Sequence, residues 1–252
     1  MSVALAELPP IPLTAWIRLR DQLGLILEDD LVALWAHGGT MFPDRPQRMG
    51  DLDTYAVLAR PPDAHAVRAI ADAHATIGRE HVVDWDAWYV LADDARGRES
   101  PQHAFEAGRR DTSWAINRAH WLGGRYAQLA GQRPDELVPP PDWSELESDL
   151  HRELEHLERH VAEGDSDPFE ATYAILNGSR ILYAIGTGNV VISKRSAGDW
   201  ALAQLPELWH PAINSARRAY DDDASPEDAA VLRADMAPFV GMVREQTGAV
   251  SP

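Results

Sequence analysis

Apolar and polar positions alternate in short runs through the first half of the chain and recur at helical spacing through the second. Residues 31–36 (LVALWA), 51–58 (DLDTYAVL) and 82–91 (VVDWDAWYVL) are rich in β-branched and aromatic side chains and predict three strands. Residues 64–77 and 112–129 predict helices between and after them, the second with Asp111 available as its N-cap. This order predicts a small mixed sheet with helices packed on it. The run Val138-Pro139-Pro140-Pro141-Asp142 is a stiff connector, because three prolines stop regular structure. It divides the chain into residues 1–141 and 142–252. Beyond it only helical patterns follow. Ser144 with Glu147 has the spacing of a capping box, and Leu146, Leu150, Leu154, Leu157 and Val161 form one apolar stripe. Residues 169–185, 193–205 and 212–220 predict further helices, and Ser225-Pro226 starts a last one reaching about residue 246. The fold class expected is α+β, a mixed α/β domain followed by a bundle of about five helices.

Composition narrows the class. The 252 residues carry 40 acidic and 23 basic side chains, a net charge of −17. That surface repels nucleic acid and attracts a cationic small molecule, although charge alone is also what keeps a protein in solution. There is no cysteine, hence no disulfide framework and no thiolate metal site. The N-terminus lacks a basic leader, and no apolar run reaches membrane-spanning length. The expectation is a soluble cytoplasmic protein, monomeric, with no membrane partner. Of the basic residues only Lys194 is lysine; all others are arginine. A single survivor of codon bias and a phosphate contact that needs a compact ammonium both account for it.

The chemistry-bearing pattern is His37-Gly38-Gly39-Thr40, followed after a gap of eleven residues from Gly39 by Asp51-Leu52-Asp53. Glycines let backbone N–H groups approach a triphosphate. On a strand, Asp51 and Asp53 share one face, and two such carboxylates suit Mg²⁺, which takes one or two of them plus phosphate oxygens. A Gly-Gly turn before an acidic edge strand is the plain alternative. The pattern resembles the signature of the DNA polymerase β-like nucleotidyltransferase superfamily: apolar residue, Gly, Gly or Ser, a gap, Asp-x-Asp. His37 stands where an apolar residue is usual.

In the second half, Ser179-Arg180-Ile181-Leu182-Tyr183, Thr187-Gly188, Lys194, Trp200, Leu205-Pro206 and Ala216-Arg217-Arg218-Ala219-Tyr220 resemble, in order and spacing, the streptomycin–spectinomycin adenylyltransferases. The resemblance implies a nucleotidyltransferase domain and a helical domain with ATP and antibiotic between them, and transfer of AMP to an aminoglycoside or aminocyclitol hydroxyl. It carries the metal-binding role to Asp51 and Asp53. It carries the third carboxylate, metal ligand and general base, to Asp86, with Asp84 the rival two residues earlier. Gly38, Gly39 and Thr40, with Arg180, Lys194 and Tyr220, fall at ATP-contacting positions. For Arg180 a structural ion pair, and for Tyr220 a core position, are the alternatives. Asp165, Asp167, Glu170 and Tyr173 lie where the family binds its antibiotic, although acids at a helix start also answer the helix dipole.

The departures fall unevenly. Gly39 and Gly50 replace serines, leaving Thr40 or Arg48 to meet phosphates. A tryptophan used for streptomycin falls near Ala107, and an Asp and an Asn that touch the antibiotic fall at Glu170 and Tyr173. The catalytic half is kept better than the recognition half. Two other readings therefore stand beside the antibiotic enzyme: a nucleotidyltransferase of another metabolite or of a protein, and a catalytically retired binding protein on the same fold. His156 and His160, four apart on a helix, have a zinc-ligand spacing without a completing partner in sequence, so a solvated face is expected there.

Overall fold

The computed structural model describes residues 2–45, 51–163 and 167–248. It divides into two compact units, one of Met1–Pro43 and Met49–Pro141, the other of Asp44–Arg48 and Asp142–Pro252. No described helix is long and apolar enough to cross a membrane.

The first unit is built on a four-stranded sheet of order β3-β2-β1-β4. Helix α1 (Pro10–Leu27) precedes β1 (Leu31–Ala36); β2 (Leu52–Leu58), α2 (Ala64–His81) and β3 (Trp85–Leu91) follow. After the single turn α3 (Ala92–Ala95) come α4 (Trp114–Leu122), β4 (Ala127–Gly131) and the turn α5 (Pro134–Leu137). Strands β1/β2 and β1/β4 pair antiparallel and β2/β3 parallel, so the sheet is mixed.

Strand alternation makes two cores. Leu34, Ala36, Leu52, Ala56, Leu58 and Tyr89 pack with Trp16, Leu19 and Leu23 of α1 and Ile70 and Ile77 of α2. On the opposite sheet face Ala33, Trp35, Tyr55, Val57 and Val90 pack with Trp114 and Trp121 of α4. Full burial of one such side chain is worth about 1.5–3 kcal/mol, so each face is a substantial anchor for the strands it aligns.

Four expectations need correction. Helix α1 was not foreseen; its buried stripe of Pro12, Ala15, Trp16, Leu19, Leu23 and Leu27, with prolines in its first turn, carries the signal. The stretch 112–129 is not one helix. Gly123 caps α4, Gly124 takes φ +82°, and the chain turns into β4. Ser113, not Asp111, is the N-cap position. Asp111 instead accepts hydrogen bonds from the Ser113 N–H (2.8 Å), the Tyr55 hydroxyl (3.1 Å) and the Asn117 amide (3.1 Å). The third strand starts at Trp85, because Val82 is the left-handed C-cap of α2 at φ +53°.

The second unit is helical: α6 (Trp143–Glu163), α7 (Pro168–Thr187), α8 (Lys194–Gln204), α9 (His210–Tyr220) and α10 (Pro226–Gly248). Helix α7 runs through its middle, with Ala171, Ala174, Ile175, Leu176, Ile181, Leu182 and Ala184 buried. The capping box of α6 sits two residues earlier than expected. Asp142 accepts from the Glu145 N–H (3.1 Å) while Glu145 accepts from the Asp142 N–H (2.9 Å).

Candidate active site

In the parallel register of β2 and β3, Asp53 stands directly beside Asp86, just as Leu52 stands beside Trp85. Registered neighbours point to the same side of a sheet. Leu52 and Trp85 belong to the core formed with α1 and α2, so the two aspartates face the other side, at the strand ends nearest the Gly-Gly turn. Asp51 lies just before the strand, close enough for its charge to act on Asp86. Partial burial pushes the Asp86 carboxyl up, Arg109 opposes the rise, and the negative charge of Asp51 adds to it. Asp84 lies before the strand and uses its backbone carbonyl to accept the Leu52 N–H at 2.9 Å. Among the described residues no three His, Cys, Asp or Glu side chains already stand together at metal-holding distance.

The turn before Asp51 is shaped by this carboxylate pair. Gly38 has φ +78°, and a Cβ built on it would lie 1.8 Å from Asp53 Oδ2. Only glycine lets the backbone lie so close to the carboxylate. Gly39 opens a short 3-10 turn (Gly39–Met41), and Thr40 is buried within it. The His37 N–H donates to the Asp53 carbonyl at 3.1 Å. Burial lowers the His37 imidazole to a pKa of about 4, and its ring lies edge-on against Tyr55 and Trp121. It is a neutral aromatic group at neutral pH, which is why histidine serves where an apolar residue is usual. Arg48 and Gly50 lie outside the described residues.

Sequence reasoning missed Arg109. Its guanidinium lies 4.3 Å over the Trp88 ring, pairs with Glu106 at 2.8 Å and reaches Asp86 at 3.7 Å. Nothing in local spacing marks it, since it arrives from the loop after β3.

In the helical unit Lys194 opens α8 behind the N-cap Ser193. Its Nζ lies 4.7 Å from the Tyr173 ring centroid and 5.8 Å from that of Tyr220. Tyr173 donates its hydroxyl to Glu153 Oε1 at 3.0 Å, a second contact absent from the sequence reading. Burial and the Glu153 charge push the Tyr173 phenol up, and Arg180 opposes them. Arg180 donates to the Asn177 side chain at 3.3 Å. Asp44 accepts from the hydroxyls of Ser193 (2.5 Å) and Ser196 (2.6 Å) at the start of α8. Thus Lys194, Tyr173 and Tyr220 are brought together, with Arg180 nearby.

The acids are arranged differently. Asp165 lies outside the described residues. Asp167 caps α7, accepting the Phe169 N–H at 3.1 Å. Glu170 approaches His160 Nδ1 at 3.4 Å, and His160 Nε2 meets His156 Nε2 at 3.1 Å. The two histidines are therefore half-buried and partnered, which corrects the expectation of a solvated face.

Residues 142–246 match the family model described as the C-terminal domain of aminoglycoside adenylyltransferase. The fold is similar to the crystal structure of spectinomycin adenyltransferase AAD(9) from Enterococcus faecialis with ATP and spectinomycin. The TM-score is 0.72 at 14% identity, covering 92% of this chain and 98% of that one.

Proposed function

We propose that this chain, whose residues 142–246 match the C-terminal domain of aminoglycoside adenylyltransferase, transfers AMP from ATP to a hydroxyl of an aminoglycoside or aminocyclitol. The observation that carries the chemistry is the Asp53–Asp86 register beside the Gly38 turn. It sets two carboxylates and close backbone N–H groups where a triphosphate and an alcohol can be handled.

The reaction forms a bond from the substrate hydroxyl oxygen to the α-phosphorus and breaks the bond to the β-phosphate, releasing pyrophosphate. Asp86 is the residue to accept the hydroxyl proton, a contribution of roughly 10²–10⁴-fold when a base is positioned. Arg180 and Lys194 carry the positive charge for the phosphates, and Tyr220 offers a ring face to adenine. Asp51, Asp53 and Asp86 are the residues to hold Mg²⁺. They are hard oxygen donors, and the repulsion between Asp51 and Asp86 is of the kind a cation relieves. Bound there, Mg²⁺ would supply stabilisation of charge on the transferring phosphate oxygens.

For the antibiotic, the acids Asp165, Asp167 and Glu170, around the start of α7 in sequence, are the residues to meet a cationic substrate, with Tyr173 one turn further along the helix. Asp167 is engaged as a helix cap. The test is a panel of aminoglycosides and aminocyclitols incubated with ATP and Mg²⁺, scored by mass spectrometry for addition of AMP. At least one compound gains AMP with wild type. Asp53→Asn reduces turnover to below roughly a tenth while the melting temperature holds, because the residue supplies charge rather than packing. If no compound in the panel is modified, the acceptor is another metabolite or a protein.

A further inference from the structure

Tyr173 occupies an unusual position in the helical unit. It projects from α7 with its ring face towards the ammonium of Lys194 (4.7 Å) and its hydroxyl towards Glu153 (3.0 Å). The Tyr220 ring, from the end of α9, stands on the same ammonium at 5.8 Å. Helices α7, α8 and α9 thus each send one side chain to a common point. Both rings fall within the ~6 Å over which a ring quadrupole attracts a cation.

We infer that Tyr173 is a positioning residue for Lys194: its ring, with that of Tyr220, forms an aromatic seat that fixes the only ammonium side chain in the protein, while its hydroxyl ties the seat to Glu153 on α6. The role of that lysine on ATP phosphates rests on the proposed function; the seat itself does not. Three physical points support it. A lysine head group is a compact charge on a four-carbon stem with much rotamer freedom, so a site that needs it in one place must hold it. Partial burial of Tyr173 strengthens the attraction, since water competes less for the cation. The Glu153 bond pins the hydroxyl end of the ring, and so the direction in which the ring axis points from α7. This assigns Tyr173 to the ATP side of the chemistry rather than to antibiotic contact.

A single lysine makes the test direct. Protein labelled with ¹³C at lysine Cε gives one side-chain signal, read in the intact chain. The expected result is an upfield ring-current shift with nuclear Overhauser contacts to tyrosine ring protons in wild type. That shift is partly kept in Tyr173→Phe, which retains the ring without its tie to Glu153, and moves most of the way to the random-coil value in Tyr173→Leu. ATP affinity by calorimetry should fall roughly 2- to 30-fold in Tyr173→Leu. It should fall less in Tyr173→Phe, which keeps the ring but loses the tie to Glu153, than in Tyr173→Leu, and fall no further when Tyr173→Leu is added to Lys194→Ala. An unshifted lysine signal in wild type, which needs no variant to fold, overturns the seat. So does equal loss in the Phe and Leu variants, or full additivity with Lys194→Ala. A shifted signal together with unchanged ATP affinity in Lys194→Ala upholds the seat and sinks the phosphate role instead.

Discussion

At Gly38 a single methyl group separates a working turn from a collision with Asp53. The residue scale is where burial decides chemistry in this protein, and histidine shows it best. Burial lowers His74 to a pKa of about 4, and its Nε2 meets the Tyr89 hydroxyl at 2.7 Å. The folded-state value lies below the unfolded value of 6.5. The neutral form is therefore the folded one, and the associated stability is present above pH 6.5. It is lost as pH falls towards 4, because the unfolded chain takes up a proton that the folded one refuses. His74→Gln keeps a hydrogen-bonding group and cannot titrate. Urea unfolding across that window should show a shallower pH dependence in the variant, by up to about one proton per chain. An unchanged slope would mean His74 is protonated in the folded state. His37 titrates in the same window, so the difference in slope carries the information rather than its absolute value.

Among the elements, the parallel pair β2/β3 has a register that selects which carboxylate stands beside Asp53. Asp84 and Asp86 have the same strand parity, and sequence alone leaves them as rivals. Pairing Leu52 with Trp85 places Asp86 next to Asp53 and leaves Asp84 outside the strand. A slip of two residues would exchange them without turning either away from the face. Asp86→Asn should therefore cut turnover by at least about 100-fold with little change in ATP affinity, the size expected for loss of a positioned base. Asp84→Asn should cost far less. Steady-state rates and calorimetric ATP affinity of both variants check this, and the reverse ranking would assign the base to Asp84. The helical elements were the easiest to recognise. Ser225 caps α10, accepting the Asp228 N–H at 3.1 Å, as its sequence suggests, and Ser193, expected inside α8, caps it by accepting the Ser196 N–H at 2.9 Å.

For the whole molecule the governing quantity is charge. Forty acids against 23 bases give −17, a field that raises the local concentration of a polycation. The KM for an aminoglycoside or aminocyclitol should accordingly rise with added salt, since exposed charges are screened over about 8 Å at physiological ionic strength. Rates at fixed ATP across a sodium chloride series measure it, with a neutral sugar acceptor as control. A KM indifferent to salt would point to an uncharged acceptor.

Local features were largely legible in the chain, although the capping box of α6 fell two residues earlier than its spacing suggested. The strand at residues 31–36, the glycine pair, the Asp-x-Asp motif, the proline connector and the capped helices of the second half depend only on neighbours a few residues apart. Periodicity, fixed backbone angles and side-chain caps report such features directly. Everything that required distant residues to meet was decided by tertiary structure. The helix expected over 112–129 broke at Gly123 and Gly124 because its second half gains more by pairing with β1 as β4 than by continuing a helix. Arg109 reached Asp86, and Tyr173 and Tyr220 closed on Lys194, through folds of chain that no spacing rule encodes. His37 became a neutral aromatic only because Tyr55 and Trp121 surround it, and desolvation is a property of the packed interior, not of the residue.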